Sequence, residues 1–402
     1  MNYSGIKVCM ISCLHDMYDD RIYWKEAVSL KKQGLEVIHL CVGSDFQDFL
    51  SSEGIRIIRL GRRRYFKNPY FDKLFRTITF KKNIVTELLE KTIEVKAGVY
   101  HFHDLQINKI GKKIKNLPHK PAVIYDVHEP YPEIARYLTK SKGIAKLFHI
   151  LYSVYIDRWQ ISCSKYYDAV IATEENVADY FRRHIDNNKV KVVYNYCDFE
   201  ITASKNVSDK IYDLIYVGGI SKWRGVFEFI QTAVLIRNAG LKLKILFIGP
   251  VKEHGLKQKL TDIIKKEKLE EIFILKEPVV RSELIHILKS GKIGICIFAD
   301  NPVYRIIMPI KIFEYLSVGL PVICNNFGHP MQIITKENAG MAIDEVSPEN
   351  ILDSALIILR NEDLYHELSR NAVNSMKKYN WKNMEKVLFD IYGELLNKRN
   401  ID

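Results

Sequence analysis

Residues 216–225 read Tyr-Val-Gly-Gly-Ile-Ser-Lys-Trp-Arg-Gly. An apolar run ends on Val217, and Gly218 and Gly219 follow it without side chains, so the backbone there can approach a phosphate closely. A helix starting near Trp223 would add free N–H groups and a partial positive charge, and Lys222 and Arg224 add full charges. This is anion-binding chemistry; the competing reading is an ordinary strand–helix turn with surface bases. A second run, 309–323, reads Pro-Ile-Lys-Ile-Phe-Glu-Tyr-Leu-Ser-Val-Gly-Leu-Pro-Val-Ile. Pro309 suits the first position of a helix, which puts Lys311 in the first turn. Glu314, three residues on, then shares its face. A carboxylate so placed can accept hydrogen bonds from a ribose diol, as acidic residues do in dinucleotide sites. The competing reading is a surface Lys–Glu pair, worth under ~1 kcal/mol.

The first half carries a different set. Residues 99–104 read Val-Tyr-His-Phe-His-Asp, and 122–129 read Ala-Val-Ile-Tyr-Asp-Val-His-Glu. Each puts histidine and carboxylate just past a strand, so His103, Asp104, His128 and Glu129 are expected at a cleft edge. The spacing matches no H-E-x-x-H pattern, and no metal site is predicted. The loop 13–21, with His15, Asp16, Asp19, Asp20 and Arg21, either faces the same edge or is solvated.

The elements needed to position these groups alternate. Strands are expected at residues 6–12, 35–42, 55–60, 99–102, 122–127, 168–172 and 190–194, with helical patterns between most of them, notably 71–95, 143–164 and 174–184. After a polar stretch the alternation restarts, with strands at 211–217, 243–248, 272–275, 293–298, 321–324 and 341–343, helical patterns separating the first five. The expected fold is α/β: two Rossmann-like domains facing across a cleft, 1–198 and 211–380, joined by a linker at 199–210, with 381–402 packing back on the first. Open parallel sheets bind ligands outside the carboxyl ends of their strands, which is where all four motifs fall.

Composition agrees with two soluble-type cores: 402 residues, 47% hydrophobic and 27% charged. The net charge of +12 favours anionic partners. Residues 62–82 concentrate it, with Arg62, Arg63, Arg64 and Lys67 beside Tyr65 and Phe66. That stretch is read as a solvated face or as a patch for anionic lipid head groups; no nucleic-acid-binding signature accompanies it. Seven scattered cysteines without a C-x-x-C pair predict a reducing compartment and no disulfide framework. No apolar run is long enough to span a bilayer, so any membrane contact is expected to be peripheral, on the inner face, in a cytoplasmic protein.

Taken in order, these motifs resemble glycosyltransferase family 4, the retaining family with the GT-B fold, over nearly the whole chain. The match is to a subgroup with a Pro-x-Lys-x-x-Glu-Tyr motif, here at 309–315. The resemblance implies that Gly218, Gly219, Lys222 and Arg224 meet the diphosphate of a nucleotide-sugar donor, uridine favoured over guanosine. It further implies that Met308, Ile310 and Lys311 meet the phosphates at the helix start, and that Glu314 holds the ribose. His128 is implied to lie near the sugar, with His15, Asp16, Arg21, His103, Asp104 and Glu129 on the acceptor side. His128, Arg224 and Lys311 are the expected catalytic groups, no cofactor is expected, and the expected acceptor is a saccharide or lipid-linked saccharide in bacterial surface polysaccharide assembly. Two positions depart from the family: Ile306 stands where a sugar-reading Glu is usual, and Gly219 where an Arg is usual. A nucleotide-sugar 2-epimerase on the same fold, and a non-catalytic nucleotide-binding partner in a membrane assembly, are the alternatives.

Overall fold

The computed structural model describes residues 5–61, 81–137, 143–198 and 210–398. The basic residues Arg62, Arg63, Arg64 and Lys67 and nearly all of the expected linker lie outside them. The chain divides into two compact units, Met1–Asn195 with Trp381–Asp402, and Tyr196–Asn380. The dividing point lies a few residues before the end expected for the first domain, and Trp381 onward groups with the first unit.

The first unit is built on an eight-stranded sheet. In chain order its strands are β1 (Lys7–Ile11), β2 (Glu36–Gly43), β3 (Gln47–Leu50), β4 (Arg56–Gly61), β5 (Val99–His103), β6 (Ala122–Val127), β7 (Ala169–Ala172) and β8 (Val190–Val192). The spatial order is β3-β4-β2-β1-β5-β6-β7-β8. All pairings are parallel except β3 with β4. Period-two alternation sends Cys9 and Ile11 into the core on one face and Val8 and Met10 into the core on the other. The C-terminal helix Trp381–Asn397 covers the second face with Trp381, Leu388, Ile391 and Tyr392, and the Trp381 indole N–H donates to Ser29 Oγ at 2.9 Å.

The second unit holds a six-stranded, wholly parallel sheet: β9 (Tyr212–Val217), β10 (Ile245–Ile248), β11 (Phe273–Lys276), β12 (Gly291–Cys296), β13 (Val322–Asn325) and β14 (Gly340–Ile343), in the order β11-β10-β9-β12-β13-β14. Strand order reverses between β1 and β5 in the first unit and between β9 and β12 in the second. Those reversals are the topological switch points, where ligands bind in such sheets. The loops leaving β1, β5, β9 and β12 carry His15, Asp104, Gly218 and Phe298, so each unit brings its chemistry-bearing residues to its own switch point.

Three local features differ from the sequence reading. The edge strand β3 is not anticipated, because Gln-Asp-Phe-Leu is short and half polar. A helix, Gly328–Glu337, separates β13 from β14. The helix after the first loop opens in π register, Asp20–Ala27, before continuing as Val28–Lys32.

Candidate active site

In the second unit the chain leaves β9 at Val217 and turns through Gly218, at φ +118°. A Cβ on Gly249 would lie 2.1 Å from the Gly218 carbonyl oxygen, so the next loop passes against this turn with only hydrogen between them. The helix expected near Trp223 is a single 3-10 turn, Lys222–Arg224, and the α-helix Val226–Asn238 starts beyond Gly225. The Gly219 carbonyl accepts from Tyr216 Oη at 2.7 Å and from Arg224 Nη1 at 3.3 Å, which fixes the guanidinium over the turn. Lys222 is exposed, its Nζ 5.0 Å from the centre of the Trp223 ring.

Lys311 comes to the same turn from the other motif. Its helix is Lys311–Ser317, so Pro309 lies two residues ahead of the first helical position rather than in it. The Lys311 side chain is buried, with its ammonium 3.7 Å from the centre of the Tyr216 ring and no hydrogen-bond partner among the described residues. A Cβ on Gly218 would meet Lys311 Nζ at 3.4 Å and Arg224 Nη1 at 3.7 Å. Two cations therefore converge on one glycine. An ammonium with its hydrogen bonds unmade is costly to bury, and the ring face offsets only part of that cost. The arrangement is chemically suited to an anion with several oxygens. Glu314 is half-buried one turn on and is near enough to Arg281 for its charge to act on that guanidinium; Arg281 also pairs with Asp198. Met308 and Ile310 are half-buried in the segment leading into the helix, and Ile306 ends the short helix Pro302–Ile306.

Two holding residues escaped the sequence reading. Tyr315 lies buried against Gly294; its Oη accepts from the Val217 N–H at 2.9 Å and donates to the Ile295 carbonyl at 3.1 Å. It thereby locks the Lys311 helix to the ends of β9 and β12. Asn325 clamps Phe298, accepting from its N–H at 2.6 Å and donating to its carbonyl at 2.9 Å. The only sequence signal was the Tyr beside Glu314.

In the first unit the predicted residues meet, but several lie beneath the sheet edge instead of lining it. Arg21, His103 and Asp104 are all buried. The π register sets Arg21 and Glu26 one turn apart, since its bonds run from i to i+5. The guanidinium reaches Glu26 and Asp126, 2.9 Å from each, and donates to the Val193 carbonyl at 2.8 Å. Burial favours neutral forms throughout, but the Arg21 and His128 charges hold the Asp126 carboxyl well below its ordinary range. Burial, with the Asp126 charge added, pushes Glu26 well up, and burial pulls His101 and His103 down. The one guanidinium thus stands between two carboxyls whose proton affinities are driven apart, beside two imidazoles whose charged form burial disfavours. Glu26, His101, His103 and Asp126 bring ligand-type atoms within 4.8 Å of one another, but the fixed positive charge between the two carboxyls is the guanidinium.

This buried set carries His128 at the edge: His103 Nδ1 and His128 Nε2 share a hydrogen bond at 3.0 Å, and the His128 ring meets the His15 ring edge-on at 4.8 Å. Asp104, at φ +76°, accepts from the Cys13 N–H at 2.7 Å and the Leu14 N–H at 3.0 Å, and its other oxygen lies 3.1 Å from His15 Nε2 as an ion pair. It shapes the β1 loop, and the backbone strain there, about 1–3 kcal/mol, is set against those three contacts. Burial would lower the His15 pKa, but Asp104 and Asp19 reverse that and lift it to about 10; the same contacts, with the two N–H groups, bring Asp104 down to about 2. Asp16 and Glu129 are exposed.

Known proteins resemble this chain in both halves. Residues 24–201 match the profile of Glycosyltransferase Family 4, and residues 198–375 that of Glycosyl transferases group 1. An uncharacterized glycosyltransferase of Methanocaldococcus jannaschii is 22% identical over 349 residues, 85% of this chain and 76% of that protein. Among solved structures, sucrose-phosphate synthase from Thermosynechococcus elongatus aligns with a TM-score of 0.76 at 14% identity, covering 98% of this chain and 100% of that one. HepE from Anabaena, solved in complex with UDP-glucose, aligns at 0.69 and 11% identity over 97% of this chain and 100% of that one. At those identities the two structures speak for the fold.

Proposed function

The chain belongs to the family 4 glycosyltransferases, and on that footing we propose that it moves a sugar, with retention of configuration, from a nucleoside-diphosphate sugar to a saccharide acceptor. The observation that carries the donor reading is the convergence of the buried Lys311 ammonium and the Arg224 guanidinium on Gly218. The diphosphate gains negative charge as the glycosidic bond breaks. Cations already in place and already partly desolvated stabilise that charge without reorganising at the moment of reaction. Uridine is the base of first choice, supported by the UDP-glucose complex of the similarly folded HepE.

Glu314 takes the ribose hydroxyls in this account, and Met308 and Ile310 bring backbone to the phosphates. His128 is the sugar-side group, with Glu129, Asp16 and His15 nearest the acceptor in their unit. Arg21, His103 and Asp104 act as positioning residues, since their polar atoms are enclosed. No divalent ion is required, because Arg224 and Lys311 supply the charge that a metal supplies elsewhere. The acceptor we propose is a lipid-linked saccharide in surface polysaccharide assembly, met at the inner membrane face. Among the described residues no helix is long and apolar enough to cross a membrane.

Incubation with a panel of nucleotide sugars, with and without lipid-linked and free saccharides, read by mass spectrometry, tests the reading. Nucleoside diphosphate released only when acceptor is present is the expected result. An isomerised sugar without acceptor would identify an epimerase, and tight binding without turnover a non-catalytic partner. Replacing Glu314 by Gln is expected to weaken donor binding by about 1–3 kcal/mol, the scale of a charged hydrogen bond.

A further inference from the structure

The helix Ile144–Ser164 in the first unit exposes an apolar stripe along its first three turns. Ile144, Leu147, Phe148, Leu151, Tyr152 and Tyr155 are each between 51% and 77% exposed. At 3.6 residues per turn they fall within an arc of about 140°. The inward side of the same helix buries Ile156, Ile161 and Cys163 together with Ser153, Gln160 and Ser164. Scattered exposed apolar residues are ordinary, whereas six on one continuous helical stripe mark a surface that is covered in use. The aromatic part of the stripe is ordered as a row: Tyr155 stacks on Tyr152 with centroids 6.4 Å apart and on Trp159 at 6.1 Å.

Charge identifies the occupant. From Ile134 to Ile156 the chain carries Arg136, Lys140, Lys142 and Lys146 and no acidic residue. Lys146 and Arg136 are exposed, and the next acid, Asp157, is engaged by Tyr180. A symmetric dimer through this face would set Lys146 and Arg136 against the same residues of its copy. An anionic bilayer instead attracts them, while tyrosines suit the head-group level and Leu, Ile and Phe the acyl boundary. We propose that this face docks the protein on an anionic phospholipid surface, with the helix lying in the interface. The proposal deepens the membrane side of the function given above and rests on that reading for its purpose only; docking is measured without turnover.

Flotation tests it, with vesicles of phosphatidylcholine alone and of equal parts phosphatidylcholine and phosphatidylglycerol. Wild type is compared with a triple variant, Leu147→Ser, Phe148→Ser and Leu151→Ser, and with Lys146→Ser. Because the three apolar side chains are exposed, the triple variant keeps its circular dichroism spectrum and its UDP binding. Wild type is expected to float with the anionic vesicles, and the triple variant to lose that partitioning by about tenfold or more. Lys146→Ser is expected to weaken it several-fold at low salt and to converge with wild type at high salt. Wild type that stays in the pellet, or a triple variant that floats as well as wild type, would overturn the proposal. So would equal flotation with neutral vesicles, or a wild-type dimer in sedimentation that the triple variant converts to monomer without any lipid binding. Failure of UDP binding in every protein would instead count against the donor reading, leaving the docking result to stand by itself.

Discussion

Arg21 is the residue on which the buried cluster of the first unit depends. It forms ion pairs with both Asp126 and Glu26 and also donates to the Val193 carbonyl. Arg21→Met would leave the Asp126 charge enclosed without its cation, and breaking such a pair from one side costs about 3–5 kcal/mol. Urea unfolding at neutral pH is expected to show that loss, smaller at low pH where Asp126 can take up a proton; a loss under ~1 kcal/mol would mean the cluster is held by packing alone. His15 gives a second test. Its folded pKa lies above the unfolded value of about 6.5, so its contribution to stability is fully present below that value. The contribution is lost as pH rises through about 10. Asp104 works in the opposite sense, present above the ordinary carboxyl range and lost as pH falls through about 2. In an imidazole titration followed by NMR, His15 is expected to hold its proton well past neutrality; a midpoint near the free-histidine value would show that the Asp104 and Asp19 contacts are absent in solution.

The elements hold the donor turn through a bond that local sequence does not reveal. Tyr315 and Val217 are 98 positions apart in the chain, and their hydrogen bond ties the Lys311 helix to the end of β9. Tyr315→Phe keeps the ring on Gly294 but leaves the Val217 N–H and the Ile295 carbonyl without this partner. A loss of about 1–3 kcal/mol is expected in the unfolding of the second unit by scanning calorimetry; an unchanged transition would mean that water replaces the hydroxyl. Strands such as β7 and β10 were legible because parallel strands are buried on both faces and read as unbroken apolar runs. The edge strand β3 was not, because each of its faces carries one polar and one apolar side chain, so four residues show no alternation. Nor was the π register at Asp20–Ala27, since hydrophobic periodicity over so few residues does not separate it from an α-helix. The motif glycines and cations were legible as types at spacings. The destination of Lys311, the Tyr216 ring instead of Glu314, was not, because it depends on how β9 and the later helix meet. The same limit applies to the helix Ile144–Ser164, whose sequence shows an apolar run but not which of its apolar residues face outward.

At the scale of the molecule, two parallel sheets with separate cores each gather polar residues at a switch point, and a chain of net charge +12 is suited to anionic partners throughout. The central claim concerns one of these places: that Gly218, Arg224 and Lys311 in the unit Tyr196–Asn380 form the seat of a nucleoside diphosphate. Titration calorimetry of the whole protein with UDP and with uridine, in wild type and in Lys311→Met, tests it most directly. UDP is expected to bind and uridine not measurably to do so. Lys311→Met is expected to weaken UDP binding by about 1.5–3 kcal/mol, roughly ten- to 150-fold, through loss of a charge-assisted contact. Equal dissociation constants for UDP in the two proteins, or uridine binding as tightly as UDP, would contradict it.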